Sequence, residues 1–245
     1  MPTPLAMLVA HADAAYRAGE AVMTDAEFDA LVADLRRTEP DHPLLKQPGG
    51  GTALLSLGNQ DLGDWLEDGV NGPWTVTPKI DGCALALRYE SGRLVAAWTR
   101  SGKCAMHVAA LVQSIPSQVP LQGALTVRGE LWGHDGRQST PAAALRRKVP
   151  CGDGLGFIAF EVINSTETHS SQLQMLEVAG FDAAPHVLTA NAMELRNCHI
   201  AWQAGELWAT PWPTDGIVVT VDDPAERRRL GVTSVAPRYA LAMKR

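Results

Sequence analysis

The sequence predicts an α+β fold, in which a short helical segment precedes a body of largely antiparallel sheets with flanking helices. Apolar residues recur at helical spacing near the N-terminus. The triplet Gly49-Gly50-Gly51 then interrupts the chain, and short β-like runs separated by turn signals dominate the remainder.

Leu5, Leu8, Val9, Ala12, Ala15 and Tyr16 share one helical face, and Gly19 follows where such a helix would stop. Thr24 and Glu27 have the spacing of a capping box, in which each side chain satisfies a free backbone N–H. Phe28, Leu31, Val32 and Leu35 extend it into a second helix that ends near Pro40. Residues 40–52 carry three prolines and the glycine triplet and read as a linker. The chain therefore divides into a helical unit over residues 1–48 and a main body over 49–245. Strands are expected over 83–89, 94–99, 125–130, 157–163 and 216–221, the first two joined as a hairpin by Glu90-Ser91-Gly92-Arg93. Helices are expected over 108–114, 172–179 and 192–205.

With 46% hydrophobic and 20% charged residues in 245, the composition is that of a soluble globular chain. A net charge of -6 argues against binding nucleic acid by bulk electrostatics, so any basic surface must be local. Arg146-Arg147-Lys148 and Arg227-Arg228-Arg229, with Arg238, are the candidates for such a phosphate track. Cys83, Cys104, Cys151 and Cys198 form no C-x-x-C pair, so neither zinc nor a disulfide framework is expected, and a reducing cytoplasm fits. No run reads as a signal peptide or a membrane span, and a monomer is expected. Trp202, Trp208 and Trp212 read as packing residues. His11, His107, His134 and His169 lack metal-ligand spacing and receive no role.

The most informative stretch is Thr77-Pro78-Lys79-Ile80-Asp81-Gly82, with a lysine placed just before a strand and a glycine permitting close backbone approach. A neutral lysine amine can attack phosphorus, but so short a motif arises often by chance. Its context lies in Ser56-Leu57-Gly58-Asn59, Thr99-Arg100, Val127-Arg128-Gly129-Glu130, Phe157-Ile158-Ala159-Phe160, Asp215-Gly216-Ile217-Val218-Val219 and a closing segment from Ala236 to Lys244. In this order, from about Tyr16 to Lys244, the chain resembles the N-terminal half of bacterial NAD-dependent DNA ligases, with features of the branch called ligase B.

The resemblance implies an ATP-grasp-like covalent nucleotidyltransferase domain preceded by a helical subdomain that grips nicotinamide mononucleotide. It makes Lys79 the nucleophile that becomes lysyl-AMP, Asp81 its positioning partner and Lys244 a phosphate clamp. It assigns Ser56 and Leu57 to the adenine pocket, Thr77 to the position that recognises the adenine amino group, Ile80 to the NAD-binding residues, Arg100 and Glu130 to the ribose, and Phe160 to stacking on the base. Tyr16, Asp25, Phe28 and Asp29 match its nicotinamide site, where a ring can stack and a carboxylate suits the positive charge. Glu130, Asp215 and Asp81 are its candidate ligands for Mg2+.

Three departures stand out: Thr77 replaces a glutamate, Thr220 replaces a lysine, and Ser101-Gly102-Lys103-Cys104-Ala105-Met106-His107 replaces a glycine-rich acidic loop. The expected partner is nicked duplex DNA, bound weakly because no OB-fold follows Arg245, with a separate clamp-supplying subunit as one solution. Adenylation of RNA ends or another acceptor, and a catalytically silent NAD-binding interaction module, stay open as alternatives. Retention of Lys79, Asp81, Gly82, Arg100, Glu130 and Lys244 favours an enzyme.

Overall fold

The computed structural model describes residues 3–18, 22–23, 25–39, 42, 54–55, 57, 60–232 and 236–244. Both N-terminal helices form, as α1 (Pro4–Ala18) and α2 (Asp25–Thr38). They pack through Ala6, Val9, Val32 and Leu35; Val9, Val32 and Leu35 lie on the faces that the spacing picks out, whereas Ala6 does not and Leu8, which does, is exposed. Thr24 of the expected capping box and most of the linker lie outside the described residues.

After α3 (Leu62–Glu67), the chain enters β1 (Trp74–Ile80), β2 (Cys83–Glu90), β3 (Arg93–Thr99) and α4 (Met106–Ala109). It continues through β4 (Ala124–Gly133), α5 (Ser139–Ala144), β5 (Leu155–Val162), α6 (His169–Val178) and β6 (Val187–Thr189). The last elements are α7 (Ala192–Gln203), β7 (Thr214–Val221), α8 (Pro224–Leu230) and β8 (Ala240–Lys244). Two four-stranded sheets result, ordered β6-β1-β7-β8 and β3-β2-β4-β5, and every strand pair is antiparallel.

The β2–β3 hairpin forms at the expected turn, where Ser91 (φ 48°) and Gly92 (φ 78°) supply the two left-handed residues that a tight hairpin needs. Two expectations are corrected. Lys79 does not precede a strand but lies within β1, opposite Gly216 of β7. A proline is unusual inside a strand, but β6 reaches only Trp74, Thr75 and Val76, so Pro78 sits where that side of β1 has no partner to satisfy. The helix expected over 108–114 closes at Ala109, because Ser114 turns its hydroxyl to accept from the Phe157 amide (2.7 Å) and Pro116 follows.

Leu85, Leu87, Val127, Phe157 and Leu176 form a core between the second sheet and α6. Val76, Ile217, Val219 and Leu241 of the first sheet pack against Trp65 of α3 and Leu195 and Trp202 of α7. Burying one such side chain contributes roughly 1.5–3 kcal/mol. Ile80, Trp132, Ile158 and Leu173 join the two sheets. Trp202 is buried, while Trp208 and Trp212 are partly buried and packed, in agreement with their expected structural role.

Candidate active site

Lys79 and Lys244 both stand opposite Gly216, one from each neighbouring strand, so the two cations share one face of the first sheet. Gly216 permits this register because a Cβ there would lie 2.3 Å from the Met243 carbonyl. Asp215 is the extra residue of a β-bulge, since Lys79 pairs with Gly216 and Ile80 with Thr214. A bulge re-aims its side chain. The Asp215 carboxylate thereby receives Lys79 Nζ at 2.7 Å and Lys244 Nζ at 3.1 Å. Burial pushes this carboxyl up, but hydrogen bonds and charge from both lysines outweigh it and hold the group below its ordinary value.

A second bulge shapes the second sheet: Arg128 pairs with Glu161 and Gly129 with Ala159, which leaves Phe160 as the extra residue. The Arg128 guanidinium lies 5.6 Å from the Phe160 ring centroid, bonds Glu161 at 3.2 Å, and donates to the Leu55 carbonyl at 2.6 Å. Glu130 shares the face of Arg128, two residues along β4. Burial pushes its carboxyl up to about 8, opposed by the charges of Arg128 and Lys79 and by a hydrogen bond from the Gly82 backbone. Gly82 cannot carry a side chain there, because a Cβ would meet the Leu131 carbonyl at 2.2 Å. The turn between β1 and β2 thus brings Lys79 of one sheet beside Glu130 of the other. Burial, aided by Glu130, pushes the nearby Cys83 thiol up to about 11, which makes it a poor competing nucleophile.

Asp81 accepts a hydrogen bond from Gln138 at 2.9 Å, a partner that the sequence did not suggest. Its charge acts on Glu130, whereas Asp215 is committed to the two lysines. Among the described residues no three His, Cys, Asp or Glu side chains converge to hold a metal, so the expected trio of carboxylates is not assembled. Thr77 and Thr220 are buried in β1 and β7. Ile80 packs with Phe160, Leu57 is partly buried, and Arg100 is exposed just beyond β3. Tyr16 lies in α1, and Asp25, Phe28 and Asp29 lie in α2, but their side chains are outside the described residues, as is Ser56 altogether. Arg128 and Glu161 were also missed as site residues; the i, i+2 spacing of Arg128 and Glu130 on a strand was the available signal.

The chain is similar in sequence and in fold to known proteins. The chain is 29% identical over 287 residues to a DNA ligase of Desulfitobacterium hafniense, an overlap covering 94% of this chain and 43% of that protein. It is 31% identical over 303 residues to a DNA ligase of Chloroflexus aurantiacus, covering 94% and 42%. The chain thus spans less than half the length of these relatives. A solved structure described as "DNA binding with a minimal scaffold: Structure-function analysis of Lig E DNA ligases" shares the fold at a TM-score of 0.52 and 17% identity, over 78% of this chain and 68% of that one. Another, "Pmar-Lig_PreS3", gives a TM-score of 0.58 at 10% identity, over 92% and 52%. The family described as the NAD-dependent DNA ligase adenylation domain matches residues 56–136 and 137–245, a span that takes in both sheets, the bulges at Asp215 and Phe160, and the paired lysines. On that match the chain belongs to the NAD-dependent DNA ligase adenylation domain family.

Proposed function

We propose that the chain transfers AMP from NAD to Lys79, releasing nicotinamide mononucleotide, and that the AMP then passes to a 5′-phosphate at a DNA nick. The observation that carries this reading is the pair of lysines held on one sheet face by Asp215, with Glu130 beside them. In the first step the Lys79 amine attacks the α-phosphorus of NAD, the N–P bond forms, and the P–O bond to nicotinamide mononucleotide breaks. Asp215, 2.7 Å away, accepts the proton leaving Nζ in this reading. Lys244, half-exposed beside it, meets the phosphate oxygens in this reading.

Mg2+ favours hard oxygen ligands and keeps much of its coordination for water and phosphate, so two protein carboxylates suffice. Glu130 and Asp81 fit that demand and would hold the ion, while Asp215 serves the lysines. When bound, the ion neutralises charge on the phosphates. Phe160 offers a ring for the adenine, with Arg128 fixing its opposite side. In this reading α1 and α2 bind the nicotinamide half through Tyr16, Asp25, Phe28 and Asp29. The relatives' name, DNA ligase, supports a DNA nick over an RNA end as the acceptor.

Intact mass after incubation with Mg2+ and either NAD or ATP tests this. The expected result is a gain of one AMP from NAD and none from ATP. Equal labelling from ATP overturns the choice of donor, and no gain from either overturns self-adenylation.

A further inference from the structure

We infer that His169 is a positioning residue that clamps the strand bearing Phe160 to the strand bearing Lys79. Its ring is 5% exposed, and each nitrogen serves a different sheet. Nε2 lies 2.9 Å from the Phe160 carbonyl on β5, and Nδ1 lies 2.5 Å from the Thr75 hydroxyl on β1. A carbonyl only accepts, so Nε2 carries the proton, and Nδ1 of the neutral ring accepts from the Thr75 hydroxyl, whose other acceptor, the Thr220 carbonyl, is farther off at 3.2 Å.

The two anchor points belong to the proposed machinery. Thr75, Thr77 and Lys79 alternate onto one face of β1, and Phe160 is the bulge residue of β5. The same helix turn also holds β7, the strand of Asp215. The His169 amide donates to the Asp222 carbonyl at 3.1 Å, and Ser170 donates to the Asp222 carboxylate from its amide at 2.7 Å and its hydroxyl at 3.1 Å. Packing alone asks for none of this, because a hydrophobic side chain fills such a space without two desolvated nitrogens to satisfy. The imidazole instead spans a fixed distance between a nucleophile strand and a base-stacking strand. In-line attack depends on that distance, and a misplacement of about 1 Å can cost on the order of 100-fold in rate.

The inference rests on the adenylation reading, and its test uses substitutions that cut one tie at a time. His169→Asn retains an acceptor near the Nδ1 position for Thr75, His169→Gln retains a donor near the Nε2 position for Phe160, and His169→Ala retains neither. In self-adenylation normalised to the fraction of chains that label at the end point, His169→Ala is expected to raise the KM for NAD about tenfold and lower kcat similarly. His169→Gln should recover most of the KM, and His169→Asn most of kcat. Loss of stability with KM and kcat of the labelled fraction unchanged in all three overturns the clamp.

Hydrogen exchange of the ligand-free chain separates this from failure of the functional reading. If the unaltered chain forms no adduct, the function is wrong, yet exchange still judges the clamp. His169→Ala should speed exchange in both 74–80 and 157–162, His169→Gln mainly in the first and His169→Asn mainly in the second. Unchanged exchange in both segments overturns the proposal. Should the alanine variant not fold, Thr75→Val replaces it, cutting the β1 tie while keeping the side-chain shape.

Discussion

Replacing Glu130 with glutamine is expected to stabilise the ligand-free protein at alkaline pH and to change little at acid pH. Burial is the main cause of the raised value, about 8 in the folded chain against an ordinary 4.5. The sign follows from proton binding. Between pH 4.5 and about 8 the folded state keeps a proton that the unfolded chain has released, so stability is fully present below 4.5 and falls as pH rises through 8. At about 1.4 kcal/mol per pH unit, the full difference sets a ceiling of about 5 kcal/mol. Glu130 is only partly buried, so solvent screening roughly halves this, to about 2–3 kcal/mol. For a chain of this size that corresponds to about 5–10 °C in Tm.

The assay is thermal unfolding of both proteins from pH 5 to pH 9. Glutamine stays neutral throughout, so the gap between the two curves should open across this range, while other titrating groups cancel. Parallel curves refute the argument that Glu130 is a desolvated carboxylate held against its preference. Adding Mg2+ with AMP provides a second arm: a cation shared by Glu130 and Asp81 narrows the gap at pH 9, and no narrowing removes Glu130 from the metal site.

Lys79→Ala and Lys79→Arg should both abolish the AMP adduct in the mass assay, because a guanidinium keeps its proton and offers no lone pair. Gly82→Ala forces a Cβ to within 2.2 Å of the Leu131 carbonyl and should cost about 1–3 kcal/mol in denaturant unfolding, with a larger loss of adenylation rate since β4 shifts beside Glu130. Nicked duplex should bind weakly with a shallow salt slope, close to -0.9 per phosphate contact, because Arg229 is paired with Glu226 and Arg227 with the Glu167 carbonyl. Gel shifts across a salt series check this, and a slope steeper than about -6 shows a wider basic surface than Arg146, Arg147, Lys148 and Arg228 provide.

What the sequence revealed of the fold was its regular part. β2, β3 and β4 alternate apolar and polar residues or run apolar between turn signals, and their positions follow from period and punctuation. The strands that escaped notice each lacked one of those cues. β1 contains Pro78, β6 spans only three residues, and β8 reads Ala-Leu-Ala-Met-Lys, which favours a helix by propensity. Pairing with β7 overrides that preference, burying Leu241 against Ile217 and Val219 of the same core.

The site was legible as residue types and not as geometry, and the two bulges show why. A bulge adds one residue to one strand, so the alternation read along that strand assigns the side chains beyond it to the wrong face. From period alone, Asp215 falls on the face of Ile217 and Val219, which is the buried core side, where an unpaired carboxylate would be expelled. The extra residue between the partners of Lys79 and Ile80 turns Asp215 toward the two lysines instead. Phe160 undergoes the same displacement on β5, and in doing so offers its carbonyl to His169. These two deviations from regular pairing fall where chemistry needs a side chain that the sheet would otherwise misdirect, whereas a third, at the exposed Val95 of β3, carries no site residue. A charged residue on the core face of a strand, with a lysine expected opposite, is the sequence sign by which such a bulge could have been anticipated.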